Sequence, residues 1–258
     1  MEHGRTHTVN RKNVNPNLGW EEKKEWNLGV DYSFFEGRLY GKFDYYRRKV
    51  DNLLFSVKVP QPPYTQGSQM QNIGSMESKG WEFEVGGDII RTKDFTWSSS
   101  MNLSHNTGKI LTLEGDNSYH NGNGFVAPGT PGDAARMEAG STIGSFYMWK
   151  FAGFDDEGSF LLYDKDGEVI PAAQKTENDK QYIGNYTPKL IIGWSHTLTY
   201  KNFDLGINLR SWIDFDVYNT INMYYGIQGQ GNLNVLKDAY GKFNHIKGEK
   251  QVCDYFLE

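Results

Sequence analysis

The fold is indicated by one short stretch, Trp26-Asn27-Leu28-Gly29-Val30-Asp31-Tyr32-Ser33-Phe34. Every second residue in it is large and apolar, and the residues between are polar or glycine. A period of two is typical of a β-strand with one apolar face. The stretch runs for about ten residues, which is the length of a tilted strand that crosses a membrane. We therefore predict a strand with one face that lipid can cover.

The same alternation returns in five more stretches, and together with the first these six stretches pair into three hairpins. Their turns are predicted at Glu36-Gly37, Thr92-Lys93-Asp94 and Lys201-Asn202. Repetition of one hairpin design predicts an antiparallel up-and-down sheet. The further apolar series are Leu39, Gly41, Phe43 and Tyr45; Trp81, Phe83, Val85 and Ile89; Phe95, Trp97, Met101 and Leu103; Leu190, Ile192, Trp194, Leu198 and Tyr200; and Phe203, Leu205, Ile207 and Leu209.

The connections between the hairpins are much longer than the turns within them, at about 51–78, 106–188 and from 213 onward. Short turns on one rim and long loops on the other are typical of outer-membrane barrels. Aromatic residues near the strand ends suit the two interfacial girdles of such a barrel. The sequence thus predicts an all-β chain, a segment of an antiparallel up-and-down transmembrane β-barrel with long extracellular loops and short periplasmic turns.

In this interpretation the polar side chains between the apolar ones line the water-filled interior of the barrel. Ionised groups stay solvated there, so Glu82, Glu84 and Asp88 on one strand face are better interpreted as lumen-facing groups than as paired catalytic carboxylates. The side chains predicted to face the lumen are Lys42, Asp44, Glu82, Glu84, Asn208 and Arg210.

Composition narrows the class further. The mean hydropathy is -0.66, and no run of about 20 apolar residues exists that could form a membrane helix. A barrel strand shows lipid only every second residue, so a polar average does not exclude barrels. The net charge of -5 gives no basic face for nucleic acid. The single cysteine, Cys253, excludes an internal disulfide, and the polar first ten residues lack a signal peptide's apolar core.

Two soluble alternatives share some of these features. A β-sandwich module that binds carbohydrate has the same alternation, but it buries the apolar faces of two sheets in one core. A β-rich enzyme, such as a glycoside hydrolase, is the third candidate. The six histidines do not cluster, and no common hydrolase or nucleotide-binding motif is present. We therefore expect no enzymatic activity.

Several short motifs, taken in order, resemble the C-terminal barrel of the SusC/RagA family of TonB-dependent receptors. They span residues 15 to about 220. They are Asn15-Pro16-Asn17-Leu18-Gly19-Trp20-Glu21, Trp26 to Asp31, Phe34 to Leu39, Phe43 to Tyr46, Asn72-Ile73-Gly74 with Lys79-Gly80-Trp81-Glu82, Ile143 to Tyr147, Ile183 to Lys189, and Asn202-Phe203-Asp204-Leu205.

The resemblance implies an outer-membrane transporter of Bacteroidota. Members of this family import glycans or peptides, are driven by the TonB complex, and are closed by a SusD-like lipoprotein. The signal peptide, TonB box, plug domain, earlier strands and final strands of such receptors have no counterpart in residues 1–258. We therefore expect the whole chain to be a partial barrel domain that forms an open, curved sheet in isolation, with TonB reached through the missing N-terminal part.

Two groups of loop residues are candidate sites. Aromatic side chains among amides and carboxylates suit contact with sugar rings or peptide groups, and the candidates are Tyr147, Trp149, Tyr186, Trp212 and Tyr218. Packing of the loops or contact with the lipoprotein explains them equally well. The Asp164-Lys165-Asp166-Gly167 turn resembles part of a calcium loop, but the later ligands are missing. A plain Asp-Gly turn is the stronger interpretation, with Asp164 and Asp166 as a weak Ca²⁺ candidate and no other cofactor expected.

Overall fold

The computed structural model describes residues 12–113, 119–121, 134–156, 159–225, 234, 236–237, 245–247 and 250–252. The polar N-terminal segment and Cys253 lie outside these residues. The chain divides into two compact units. One comprises Met1–Tyr119, Glu138–Thr142 and Ile192–Ser211, and the other comprises His120–Met137, Ile143–Ile191 and Trp212–Glu258.

The described elements are almost all strands. In chain order they are β1 (Glu22–Phe34), β2 (Leu39–Lys58), β3 (Ser68–Arg91), β4 (Phe95–Leu113), β5 (Tyr119–Asn121), β6 (Arg136–Glu138), β7 (Ser145–Phe154), β8 (Phe160–Tyr163), β9 (Val169–Pro171), β10 (Lys180–Asn185), β11 (Leu190–Tyr200), β12 (Phe203–Ile213), α1 (Thr220–Tyr225), β13 (His245–Lys247) and β14 (Lys250–Val252). Short 3₁₀ turns occupy Ala172–Gln174 and Glu177–Asp179. Among the described residues, no helix has the length and apolarity needed to cross a membrane.

Six strands form one open sheet in the order β1-β2-β3-β4-β11-β12, which we call the wall sheet. The pairings of β1 with β2, β2 with β3 and β3 with β4 are antiparallel. These are the six strands that the alternation predicts, so the predicted fold class is confirmed. Within the described residues β1 and β12 are the two edges of this sheet.

The register places the predicted apolar series on one face of the wall sheet. Val30 lies opposite Phe43, Phe43 opposite Phe83, and Phe83 opposite Leu103, which makes a continuous apolar row across four strands. This face is open: Leu28 is 63% exposed and Ile207 is 40% exposed. The β-sandwich alternative requires such residues to meet in an enclosed core, and these side chains do not.

The three short turns lie at one end of the strands. The backbone amide of Asp88 donates to the carbonyl of Arg38, and the amide of Lys201 donates to the carbonyl of Asp94. The first turn is longer than predicted, because β1 ends at Phe34 and β2 begins at Leu39. Residues 35–37 of this turn have positive φ, so a four-residue reversal replaces the predicted turn at Glu36-Gly37.

At the other end the strands run much further than the alternation indicates. The predicted connection over 51–78 is wrong, because β2 continues to Lys58 and β3 begins at Ser68. A bulge after Val50 shifts the register, with Asn52 at φ 59°. It breaks the period of two that a sequence pattern can follow. Beyond it a small core forms, in which Leu53, Val57, Ile73 and Ile110 are buried.

The predicted long connection over 106–188 also contains structure. β4 continues to Leu113, and the second unit holds a four-stranded sheet in the order β10-β7-β8-β9, which we call the loop sheet. Its strands are short, at three to ten residues. The strands of the loop sheet do not add to the wall sheet.

Candidate functional site

The polar face of the wall sheet carries charged side chains at directly opposed positions of neighbouring strands. Lys42 on β2 lies opposite Glu84 on β3, and its Nζ is 3.8 Å from Oε2 of Glu84. Asp44 lies opposite Glu82 on the same two strands. Directly opposed residues of neighbouring strands share a face, so four of the six predicted lumen-facing groups lie together.

This row of polar side chains continues across the other strands. Asn102 on β4 lies opposite Glu84, and its amide is within 3.0 Å of the Cβ position at Gly193 on β11. The hydroxyl of Thr199 donates to Asp204 Oδ1 at 2.9 Å across the β11–β12 turn. Asn208 and Arg210 share the alternation phase of Asp204 on β12, which brings them to the same face. That this face borders the lumen stays a prediction.

At the end of the strands away from the short turns, which we call the loop side, the apolar face ends in aromatic rings. The rings of Trp26 and Tyr45 lie 5.5 Å apart, and those of Trp81 and His105 lie 6.2 Å apart. Both pairs join neighbouring strands in adjacent positions, since Tyr45 lies opposite Trp81. A row of amphipathic rings at one level is typical of the membrane–water interface.

Immediately beyond these rings the strands carry ion pairs. Arg47 donates to Glu77 through Nε at 2.8 Å and Nη2 at 2.5 Å, and Lys49 lies 2.8 Å from Asp51. The hydrogen bond from Lys49 lowers the pKa of the Asp51 carboxyl below its ordinary value, and the charge of Lys24 acts in the same direction. Such groups require water, so the change from rings to ion pairs marks the boundary of the apolar band.

On the loop sheet, Tyr147 and Trp149 lie on the same face of β7, and the ring of each contacts a cationic side chain. Arg136 donates to the Tyr147 hydroxyl at 2.9 Å, and its guanidinium lies 4.7 Å from the ring centre. The Trp149 ring has the ammonium groups of Lys180 at 4.4 Å and Lys175 at 5.2 Å. These cation–π contacts hold the rings on this face beside cations.

Tyr186 and Tyr218 belong to a different cluster, built around Phe146. The Phe146 ring lies 6.1 Å from the ring of Tyr186 and 5.9 Å from that of Tyr218. Burial raises the pKa of the Tyr218 phenol. Trp212 packs instead on Phe215, at 5.8 Å. The structure therefore does not bring the five predicted aromatic residues into a single site.

Asn185, which no sequence pattern marks as a site residue, holds this cluster together. Its side-chain amide donates to the carbonyl of Ile143 and to the Ser145 hydroxyl, each at 3.1 Å, and its Oδ1 accepts from the Thr187 amide at 2.7 Å. The backbone amide of Asn185 donates to Asp216 at 2.8 Å. The sequence did contain a signal for this role, because Asn185 lies in the motif at 183–189 and its side chain binds the motif at 143–147.

The Asp164 turn is satisfied by its own backbone. Oδ1 of Asp164 accepts the amides of Asp166 and Glu168, each at 2.9 Å, which is an Asp-initiated turn. No group of three or more histidine, cysteine or acidic side chains is placed to hold a metal ion in the part of the chain that the structure describes. Ca²⁺ binding at Asp164 and Asp166 stays a prediction.

Comparison with known proteins identifies relatives for most of the chain. Residues 4–219 match the family model of the TonB dependent receptor-like β-barrel. The chain is 35% identical over 222 residues to TonB-dependent receptor P3 of Formosa agariphila, covering 80% of this chain and 22% of that protein. It is 33% identical over 222 residues to TonB-dependent receptor SusC of Bacteroides thetaiotaomicron, covering 82% and 21%.

Among solved structures, the RagAB peptide transporter has the same fold, with a TM-score of 0.78 and 25% sequence identity. The match covers 97% of this chain and 28% of that one. The RagAB peptide importer in an open state matches with a TM-score of 0.73, covering 94% and 26%. The chain thus spans between about a fifth and just over a quarter of the length of the proteins it matches.

Proposed function

The chain belongs to the TonB-dependent receptor β-barrel family of the outer membrane, and we propose that it forms part of the wall of a transporter that imports oligosaccharides or peptides. The observation that supports this most is the two-faced wall sheet. Its apolar face is open between aromatic rings and short turns, while its other face carries the Lys42–Glu84 pair. A sheet with these faces separates lipid from a wet channel.

The proposed partners follow from the kind of receptor that the chain resembles. A SusD-like surface lipoprotein closes the transporter on the loop side, and the TonB complex supplies energy through a part of the receptor outside this chain. The loop sheet supports contact with a partner or a substrate, because it presents rings beside cations at Tyr147 and Trp149. We propose no enzymatic step, since the relatives are described as receptors.

The substrate class is proposed on the chemistry of the loop residues and on two relatives. Rings that pack on sugar faces also pack on peptide groups, so the aromatic clusters suit either class. The solved neighbour is described as a peptide transporter, and other relatives are described only as TonB-dependent receptors. Oligosaccharides and peptides therefore both remain within the proposal.

Uptake by the native host tests this function. Cells that lack the gene are given fluorescent oligosaccharides in one arm and fluorescent peptides in the other, and a strain without TonB serves as the control. We expect one class to lose TonB-dependent uptake, and affinity purification of the tagged protein to recover a surface lipoprotein. Unchanged uptake of both classes together with no lipoprotein in the purified sample would contradict the proposal.

A further inference from the structure

A groove of about 650 Å³ is cut into the apolar face of the wall sheet, close to the short turns. Its volume is within the range of ligand-binding pockets. Side chains from four strands line it: Leu39, Val85, Ser99, Met101 and Trp194, together with the backbone of Gly87. All of these residues are in the alternation phase of the apolar face, so the groove opens on the face that we assign to lipid.

The groove exists because two opposed positions have almost no side chain. Gly87 on β3 lies opposite both Leu39 on β2 and Ser99 on β4. A Cβ atom at Gly87 would collide with the backbone carbonyl of Arg38, so no larger residue fits there. The indole of Trp194 donates to the Ser99 hydroxyl at 3.0 Å, which holds the ring as one side of the groove.

A cation lies at the rim where the groove reaches the turns. Arg38 lines the groove and has no ion pair within the described part of the chain. Asp88, the acidic residue in the same lining, is already bound by Arg91 at 3.5 Å and by the Ser98 hydroxyl at 2.7 Å. Arg38 therefore has its donors available for an anion at the membrane boundary.

We propose that this groove binds one glycerophospholipid of the leaflet on the short-turn side, with an acyl chain against Val85 and Met101 and the phosphate on Arg38. The position determines the occupant, because molecules that reach an apolar groove on the lipid-facing side of a barrel are membrane lipids. Charge complementarity selects among them, since a guanidinium forms paired hydrogen bonds with phosphate oxygens.

Native mass spectrometry of the protein extracted from the outer membrane in mild detergent tests the site. The added probes are phosphatidylglycerol, diacylglycerol with the same acyl chains, and inorganic phosphate. We expect one phosphatidylglycerol per protein, at least about tenfold weaker binding of diacylglycerol, and no retention of inorganic phosphate, because one charge-assisted hydrogen bond accounts for roughly that factor.

Two variants and one matched control locate the binding. Arg38→Gln should lower phosphatidylglycerol affinity about tenfold and leave diacylglycerol unchanged. Ser99→Leu should fill the floor and remove both lipids. Lys93→Gln, which deletes a cation from the neighbouring short turn, should change neither. Equal lipid binding by the native protein, Arg38→Gln and Lys93→Gln would overturn the proposal. Uptake measured in the Arg38→Gln strain keeps this result separate from the proposed transport function.

Discussion

Three tyrosine rings lie over glycines on the neighbouring strand of the wall sheet. Tyr40 lies opposite Gly86 and Tyr46 opposite Gly80, and Tyr32 covers Gly41. Glycine inside a strand usually marks a close approach of this kind. The ring replaces the packing that the missing side chain would supply, which is a known way to stabilise glycines in sheets.

At Gly86 this packing can be tested without a backbone collision. A Cβ atom there would lie 2.7 Å from Cζ of Tyr40, so Gly86→Ala should cost about 1–3 kcal/mol through overpacking. The cost should vanish in a Tyr40→Ala background, and a double-mutant cycle in urea titrations measures the coupling. Gly206→Ala is the control, because nothing lies within 4 Å of that Cβ position. Equal effects at the two glycines would contradict the packing account.

A charge on the apolar face should be far more harmful than one on the polar face. Val85 lies about midway between the ring of Trp81 and the short turn after Arg91 on β3. Val85→Arg should therefore cost about 2–4 kcal/mol if this depth is the bilayer midplane. Ser100→Arg, on the opposite face, should be mild. Folding into liposomes, followed by urea titration, compares the two variants, and similar costs would count against the assignment of faces.

At the scale of single residues, the face on which a side chain lies could be predicted wherever the alternation of apolar and polar residues determines it. The phase of Lys42, Glu84 and Asn208 could be read from neighbours two positions away. The grouping of the loop aromatic residues could not be predicted in this way, because contacts such as Phe146 with Tyr218 join residues far apart in the chain. Asn185 illustrates the same limit, since its role depends on carbonyls and amides from three segments.

Among the elements, the 3₁₀ turn at Glu177–Asp179 is fastened by a buried carboxylate. The amide and hydroxyl of Thr176 each donate to Asp179 Oδ2 at 2.7 Å. The hydroxyl first and then the amide lower the pKa of Asp179 below its ordinary value. The indole of Trp149 donates to the carbonyl of Thr176 at 2.8 Å. The solvent accessibility of this tryptophan therefore reports whether the turn is intact.

The lowered pKa of Asp179 determines the direction in which the stability of this turn changes with pH. Because the folded pKa of Asp179 is depressed, its stabilisation is fully present above the ordinary carboxyl pKa and is lost as pH falls through the folded value. Trp149 accessibility to an aqueous quencher should therefore rise only in strongly acidic solution. Asp179→Asn should remove that acid transition and raise accessibility at neutral pH. An unchanged acid transition in Asp179→Asn would show that another group controls it.

The extent of the strands was the least predictable property of the elements. Just beyond the ring of Trp81 the apolar series is interrupted by charged side chains, such as Arg47, Lys49 and Glu77, so it does not indicate where β2 and β3 end. A register shift near Asn52 then changes the phase. The pairing of β2, β3 and β4 continues beyond this point because ion pairs such as Arg47–Glu77 and the small core around Ile110 stabilise it. Neither feature has a short-range sequence signature.

For the whole molecule, the fold class and the six wall strands were predictable, because one pattern repeats in three hairpins. The wall sheet also has two open edges, since β1 and β12 are not neighbours in the described strand order. Unpaired backbone groups at such edges are not tolerated in hydrocarbon. That residues 1–258 form a partial barrel lacking a plug and further strands stays a prediction.

The open edges lead to a prediction about the isolated chain. Because barrels of plugged transporters close with about 22 strands, the six wall strands should form no closed pore by themselves. We expect the purified chain to aggregate in plain buffer, to require detergent for refolding, and to carry no current in a planar bilayer. A soluble monomer that unfolds cooperatively in plain buffer is the opposite outcome, and it would refute the membrane assignment.

The most direct test of the two-faced wall measures which medium each face meets. Single cysteines are placed, in a Cys253→Ser background, at Val30, Phe83 and Ile207, and at their chain neighbours Asp31, Glu84 and Asn208. In outer-membrane vesicles each is tested with an impermeant maleimide and, after labelling with a fluorophore, with spin-labelled lipid as a quencher. We predict that lipid quenches the first three and the maleimide modifies the second three. Aqueous modification of Val30, Phe83 and Ile207 without lipid quenching would contradict the account.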